Sequence, residues 1–257
     1  MNSSKVTAET IRLMKRKSRI AALTAYDFSL AKLLDEAGID LIHVGDTLGM
    51  IVLGYPDTTL VTMEEMEHHV RAAARARPRA LLAADLPYRS YDSPESAVAN
   101  ARRLIAAGAE AVKAEGGREI LDQVRAVVAA GIPYFGHLGM LPQHVREEGG
   151  YRIKGRVQSE RDALLADARA LSEAGAFALV LEIVTPPVAS EITDAIPIPT
   201  IGIGSGPGCD GQILVTHDLI GTFPWFRPKF VKPALHAAED IRAAVRNWKE
   251  SIQEKTA

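Results

Sequence analysis

The chain is poor in the features that would place it in a specialised class. It has a single cysteine, Cys209, in 257 residues, which excludes an intrachain disulfide framework and suits a reducing compartment. Neither sign of charge dominates: 30 Lys plus Arg stand against 32 Asp plus Glu, a net charge of −2. That balance gives no electrostatic footprint for nucleic acid or an anionic membrane, so neither is an expected partner. No apolar run approaches the roughly 20 residues that span a bilayer. Lys15-Arg16-Lys17 is basic, but the apolar stretch after it runs only from Ile20 to Ala25 before Asp27, short of the about 7–15 residues of a secretory core. A soluble, cytoplasmic protein is the expectation. Also lacking is any Ser/Gly/Pro-rich linker or low-complexity tract, so residues 1–257 read as one domain.

What is present is ordinary in bulk: 47% hydrophobic and 24% charged residues, in a chain long enough to bury a large core without staples. Along it, β-branched apolar runs alternate with Ala- and Leu-rich stretches of helical period. Strands are expected near Ile20–Ala25, Asp40–Gly45, Ala80–Ala84, Ala111–Ala114, Pro133–Gly136, Ala178–Leu181, Thr200–Ile203 and Lys229–Lys232. Helices are expected at Glu64–Arg77, Ser93–Ala107, Glu119–Ala130 and Glu160–Ala174. Such alternation argues for a parallel sheet, and eight strands in about 250 residues is the size of a (β/α)8 TIM barrel. Thr7–Lys15 reads as an extra N-terminal helix over the barrel floor, and Ala237–Ile252 as a closing helix with a frayed polar tail.

One junction recurs. Ala37-Gly38 precedes a strand ending at Asp46, Ala107-Gly108 one ending at Glu115, and Ala174-Gly175 one ending at Glu182. Glycine closes a helix because it tolerates the left-handed turn there. The three glycines lie 70 and 67 residues apart, two βα units each time. Asp27, Asp46, Asp85, Glu115 and Glu182 thus all fall at the C-terminal ends of expected strands, the rim that carries active sites in such barrels. Acids converging in a partly dry mouth call for a cation, and hard oxygen donors with few histidines point to Mg2+ or a similar ion. Taken singly, each acid could instead cap the following helix.

Lys113 and Glu115 are two apart on one strand and share a face. Lys113 could bind a substrate carboxylate, form a Schiff base, or sit in a buried ion pair. His137, in Gly136-His137-Leu138-Gly139, ends another strand, as a substrate-orienting group, a proton shuttle or a satisfied core histidine. Gly202–Gly208 reads as a backbone-lined wall near the mouth. Its formal G-x-G-x-x-G match, Gly206 to Gly211, lacks the acid that a dinucleotide site needs.

These residues sit in motifs that resemble the ketopantoate hydroxymethyltransferase family. The matching stretches are Leu23-Thr24-Ala25-Tyr26-Asp27, Val44-Gly45-Asp46-Thr47-Leu48-Gly49-Met50, Ala84-Asp85-Leu86-Pro87-Tyr88, Val112-Lys113-Ala114-Glu115-Gly116-Gly117 and Gly136-His137-Leu138-Gly139-Met140. Pro142-Gln143, Gly149-Gly150-Tyr151, Leu181-Glu182, Ile201-Gly202-Ile203-Gly204, Asp210-Gly211-Gln212 and Lys229-Phe230-Val231 follow in the family's order. The resemblance implies a (β/α)8 barrel in a homo-oligomer, an octamer or decamer, with Mg2+ in its mouth. By position Asp46, Asp85 and Glu115 would be the metal residues. Asp46, Thr47, Asp85, Lys113 and His137 would hold the keto acid, and Glu182 would be the catalytic acid/base. The implied reaction moves a hydroxymethyl group from 5,10-methylenetetrahydrofolate to 3-methyl-2-oxobutanoate, giving ketopantoate and tetrahydrofolate in pantothenate and coenzyme A biosynthesis.

The chain departs from the family at Thr47 (usually serine), Leu60 (proline), Leu141 (threonine), Lys154 (glutamine) and Ser205 (alanine). None removes a metal or acid/base residue, but they admit a paralogue acting on another keto acid. Other readings are a metal-dependent lyase or mutase of the isocitrate lyase–PEP mutase type, a Schiff-base aldolase on Lys113, and a non-catalytic barrel.

Overall fold

A computed structural model describes residues 4–253. Eight parallel strands close into a barrel in chain order: β1 (Ile20–Thr24), β2 (Leu41–Val44), β3 (Leu81–Asp85), β4 (Ala111–Glu115), β5 (Tyr134–Gly139), β6 (Ala178–Glu182), β7 (Thr200–Ile203) and β8 (Gly211–Leu214). The helices are α1 (Ala8–Leu13), α2 (Phe28–Glu36), α3 (Leu48–Ile51), α4 (Met63–Ala74), α5 (Pro94–Ala107), α6 (Leu121–Ala129), α7 (Gln158–Glu173), α8 (Pro186–Ala195), α9 (Thr216–Ile220) and α10 (Ala237–Gln253). The (β/α)8 expectation therefore holds. The polar tail expected after α10 lies outside the described residues apart from its first positions.

Local chemistry sets the boundaries. Thr62 and Ser93 start α4 and α5 with reciprocal capping boxes, and Pro94 occupies the first turn of α5, where its missing N–H costs nothing. Gly38, Gly108 and Gly175 all have left-handed φ, at 87°, 114° and 99°, as the recurring Ala-Gly junction requires.

The eighth strand is not where the sequence placed it. Lys229–Lys232 is irregular, bracketed by Pro228 and Pro233, which withhold ladder donors. The strand is Gly211–Leu214, paired with β7 through Ile201↔Gly211 and Gly202↔Gln212. Only residues 204–210 separate β7 from β8, and they contain no helix, so the cadence of two βα units breaks here.

The chain divides into two compact units, Met1–Ile213 and Leu214–Ala257. In the first, Ala22, Leu41, Leu81, Ala83, Ala111, Phe135, Ala178, Val180, Ile201 and Ile213 fill the lower barrel interior. Val6 and Ile11 join them from below, so the N-terminal helix plugs the floor as expected. A second, larger cluster fills the layer between strands and helices. In the second unit, α10 has no buried residue, and Ile241, Val245 and Trp248 form an exposed apolar stripe at helical spacing.

Candidate active site

Going up each strand from the floor, inward positions alternate with outward ones, and the last inward step changes from apolar to charged. On β3 the series Leu81, Ala83 ends at Asp85. On β4 Ala111 gives way to Lys113 and Glu115, on β5 Phe135 to His137, and on β6 Ala178 and Val180 to Glu182. Register brings these together, with Asp85 opposite Lys113, Glu115 opposite His137 and Gly139 opposite Glu182. Gly139 is required there: a Cβ on it would stand 2.2 Å from the Glu182 carbonyl oxygen, and its φ is 101°.

Lys113 Nζ lies 2.9 Å from Asp85 Oδ1. The same carboxylate accepts from His43 Nε2 at 3.0 Å and from the Asp46 backbone N–H at 3.0 Å. Lys113 Nζ is also 3.1 Å from His137 Nδ1. An ammonium only donates, so Nδ1 accepts and the ring proton sits on Nε2. That nitrogen is 3.2 Å from Glu182 Oε2 but off line for a hydrogen bond, and so lacks a partner among the described residues. His137 Nδ1 stands 3.6 Å from Glu115 Oε1. Thr47 Oγ1 and the Tyr26 hydroxyl are 2.7 Å apart. Asp46, Asp85, Lys113, Glu115 and His137 are all buried, while Glu182 is partly open, its side chain 14% exposed.

Burial and mutual charge sort the acids. Desolvation works to raise Asp85, but the Lys113 ammonium and then His43 overturn it and hold its carboxyl well below the usual range. Desolvation, then the Asp85 charge, raises Asp46. Desolvation with the Asp46 charge raises Glu115 well above the usual range, against Lys113. Glu182 is pushed up to about 8 by desolvation and, against Lys113, by the Asp46 and Asp85 charges. Burial works to lower Lys113, yet Asp85, Glu115 and Asp46 raise it. Desolvation and then Lys113 hold His137 well below its ordinary value, so it is neutral.

Four carboxyls thus face one buried ammonium. Among the described residues no three His, Cys, Asp or Glu side chains already converge as a ligand set. The donors nevertheless suit a hard divalent cation: oxygen-donor carboxyls outnumber the one ammonium at the site, and desolvation together with neighbouring carboxylate charge disfavours ionising Asp46 and Glu115 without further positive charge. The residues fit the ion by chemistry and by charge.

Of the five strand-end acids, Asp27 is not in this group: it is exposed and caps α2, accepting from the Leu30 N–H at 2.8 Å. Its reading as a helix cap is the right one. Residues 204–210 leave the mouth and descend to the floor, where Arg19 donates to the Cys209 and Pro207 carbonyls. Sequence reading assigns no role to His43, Tyr26, Tyr91 and Gln143, although Tyr26 stands inside one of the matching motifs. Gln143 appeared only inside a motif, yet its Nε2 donates to Asp46 Oδ2 at 2.7 Å. Its signal was an amide next to a proline just past a strand end, which alone names no partner.

Ile183, directly after Glu182, has φ 50°, a left-handed conformation that is costly for a β-branched residue. The neighbours hold it: Ile183 N–H donates to the Ile203 carbonyl at 2.8 Å and Lys154 N–H to the Ile183 carbonyl at 2.9 Å. Ser205 Oγ bridges the turn, donating to the Leu181 carbonyl at 2.7 Å and accepting from the Val184 N–H at 2.9 Å.

A closed parallel barrel whose C-terminal rim gathers acids, a lysine and a neutral histidine defines a (β/α)8-barrel enzyme with an acid–base site. The sequence matches the profile of the ketopantoate hydroxymethyltransferase family over residues 5–256, and the chain belongs to that family. It is an enzyme of the transferase class. The 3-methyl-2-oxobutanoate hydroxymethyltransferase of Moorella thermoacetica is 53% identical over 254 residues, covering 98% of this chain and 94% of the relative. That of Ignicoccus hospitalis is 51% identical over 251 residues, covering 97% and 95%. Among solved structures, the phosphoenolpyruvate phosphomutase of Streptomyces platensis subsp. rosaceus aligns with TM-score 0.66 at 17% identity, covering 97% of this chain and 88% of that one. A 2,3-dimethylmalate lyase of the PEP mutase/isocitrate lyase superfamily aligns with TM-score 0.62 at 20% identity, covering 98% and 89%. At these identities the likeness is one of fold. No helix among the described residues is long and apolar enough to cross a membrane.

Proposed function

We propose that the chain transfers a hydroxymethyl group from 5,10-methylenetetrahydrofolate to 3-methyl-2-oxobutanoate, giving ketopantoate and tetrahydrofolate for pantothenate and coenzyme A synthesis. The observation that carries this is Glu182: a strand-end carboxyl at the open edge of the site, pushed up to about 8, where a base can take a proton from carbon near neutral pH. Family membership supplies the substrate pair.

Asp46 and Asp85 would hold Mg2+ or a similar divalent ion, with Glu115 on the same side. Bound there, the ion supplies Lewis-acid stabilisation of the negative charge that builds on the keto oxygen. Lys113 and the hydroxyl of Thr47, with the backbone at Asp46, bind the keto acid. The Tyr26 hydroxyl fixes the Thr47 rotamer from 2.7 Å. Glu182 takes the C3 proton, and the Nε2–H of neutral His137 orients the substrate beside it. The C3 electron pair then bonds to the methylene carbon of the donor. That carbon exchanges its two bonds to nitrogen for one to C3 and one to a hydroxyl from water. The C3 proton and one proton of the water end on the two nitrogens.

The competing chemistries fit less well. A Schiff-base lysine needs a lowered pKa, and Lys113 is raised. Cys209 is buried, and burial pushes its thiol up, unlike a reactive cysteine. Homo-oligomerisation to an octamer or decamer belongs to the proposal, supported by the exposed stripe on α10. So do cytoplasmic residence and a single folding domain across both compact units.

The test follows the C3 proton of 3-methyl-2-oxobutanoate by NMR in D2O, with Mg2+ and with chelator. Metal-dependent exchange that is lost in Asp46→Ala and Asp85→Ala is expected, with full turnover on adding the folate donor. No exchange even with folate present would overturn the reading.

A further inference from the structure

Gln143 is 1% exposed and lies in the short 3-10 turn Pro142–His144 after β5. Every polar atom of its side chain is engaged. Nε2 donates to Asp46 Oδ2 at 2.7 Å and to the Leu86 carbonyl at 3.0 Å. Oε1 accepts from the Tyr91 hydroxyl at 2.6 Å, and the backbone N–H of Gln143 donates to Glu115 Oε2 at 2.9 Å. Turning the amide over would set its oxygen against a carboxylate and a carbonyl, so its orientation is fixed by its partners. Tyr91 is tied in turn, its hydroxyl 3.2 Å from the Glu115 carbonyl oxygen. The segments that follow β2, β3 and β5 and the end of β4 therefore meet on one residue.

We infer that Gln143, held by Tyr91, is a positioning residue that preforms the cation site, an inference that rests on the metal reading above. Asp46 Oδ2 and Glu115 Oε2 both sit against this one residue, and like charges held so close repel. Gln143 gives each carboxylate one donor, from its side chain and its backbone, and so fixes both while leaving their outer lone pairs free. An amide is the group that does this without altering the charge. A lysine or arginine would neutralise the acids and displace the cation, and a glutamate would add a third repelling charge. Outer partners of this kind set metal affinity by about 10–100-fold.

The test is Mn2+ binding to the metal-free enzyme, read from the EPR signal of free Mn2+, for wild type, Gln143→Met, Tyr91→Phe and Asp46→Asn. Gln143→Met keeps the side-chain length and the backbone donor to Glu115 but removes the amide. Its Kd is expected to rise about 10–100-fold with the far-UV circular dichroism unchanged. Tyr91→Phe frees the amide without deleting it and is expected to raise Kd less, in the same direction. It carries the test if Gln143→Met fails to fold. A residue that only supported the fold would lower Tm and leave Kd unmoved, so wild-type Kd in the folded variants overturns the inference alone. No Mn2+ binding by wild type, or wild-type affinity in Asp46→Asn, overturns the metal reading and the inference with it.

Discussion

The floor and the mouth of the barrel are made by the same strands, and they differ by a single inward step. On β4 the step runs from Ala111 to Lys113, on β5 from Phe135 to His137, and on β6 from Val180 to Glu182. At about 3.3 Å of rise per residue, some 7 Å separates a dry hydrocarbon layer from a cluster of four carboxyls. Phe135 marks the boundary. Its ring stacks on Phe177 below, with centroids 5.4 Å apart, and meets the edge of His43 above at 6.3 Å. Below it, apolar burial and plugging by Val6 and Ile11 supply stability. Above it, the buried acids Asp46 and Glu115 are raised and so cost stability when ionised. The floor provides the rigidity against which the mouth can hold an unfavourable charge.

The comparison breaks most sharply at Glu182. Glu182→Gln is expected to slow C3 exchange and turnover by about 10²–10⁴-fold, with Tm unchanged or raised, since a costly carboxyl is removed. Activity assays beside circular-dichroism melts check it, and a destabilised variant would place Glu182 with the floor. Phe135→Ala should do the reverse. It opens a cavity and lowers stability by about 3–5 kcal/mol in urea unfolding. Metal affinity in the folded fraction should move far less.

The smallest effect is on the pH dependence of the metal-free protein. Glu182 and Glu115 are raised from 4.5, and Asp46 from 3.8. Groups raised on folding contribute stability that is present below their unfolded values and lost as pH rises through the folded ones, up to about 8 for Glu182. Asp85 is lowered, so its contribution is already complete above its unfolded 3.8. His137, lowered from 6.5, contributes with the opposite sign up to that pH, but three raised acids outweigh one histidine. The Tm in chelator should therefore fall from about pH 5 to about pH 8, most clearly above the histidine's range, and the gain in Tm on adding Mg2+ should grow over that window. A chelator Tm that rises there would contradict the charge assignment of the mouth.

Much of this contrast was legible in the sequence, for a physical reason. Ala-Gly junctions, apolar strands and strand-end acids are local, so Asp46, Asp85, Glu115 and Glu182 could be placed from spacing alone. Two things were not local. The eighth strand is four residues long and follows a glycine-rich connection with no helix, so no cadence pointed to it, while Phe230-Val231 offered an apolar decoy between prolines. Gln143 meets Asp46 across 97 residues and Tyr91 across 52. Such a link leaves no pattern in either segment. Asp27 shows the opposite failure, a strand-end acid by position that is spent on capping its own helix.

The chain has two tryptophans, Trp225 and Trp248, and both belong to the unit Leu214–Ala257. They are 76% and 66% exposed, while the unit Met1–Ile213 contains no indole at all. Intrinsic fluorescence excited at the indole band is therefore a reporter of the C-terminal unit alone. The barrel speaks spectroscopically through its buried phenols, among them Tyr26, Tyr91 and Tyr134. Emission and near-ultraviolet dichroism thus give two separate voices in one heating experiment, and their agreement or divergence tells whether the two units melt as one.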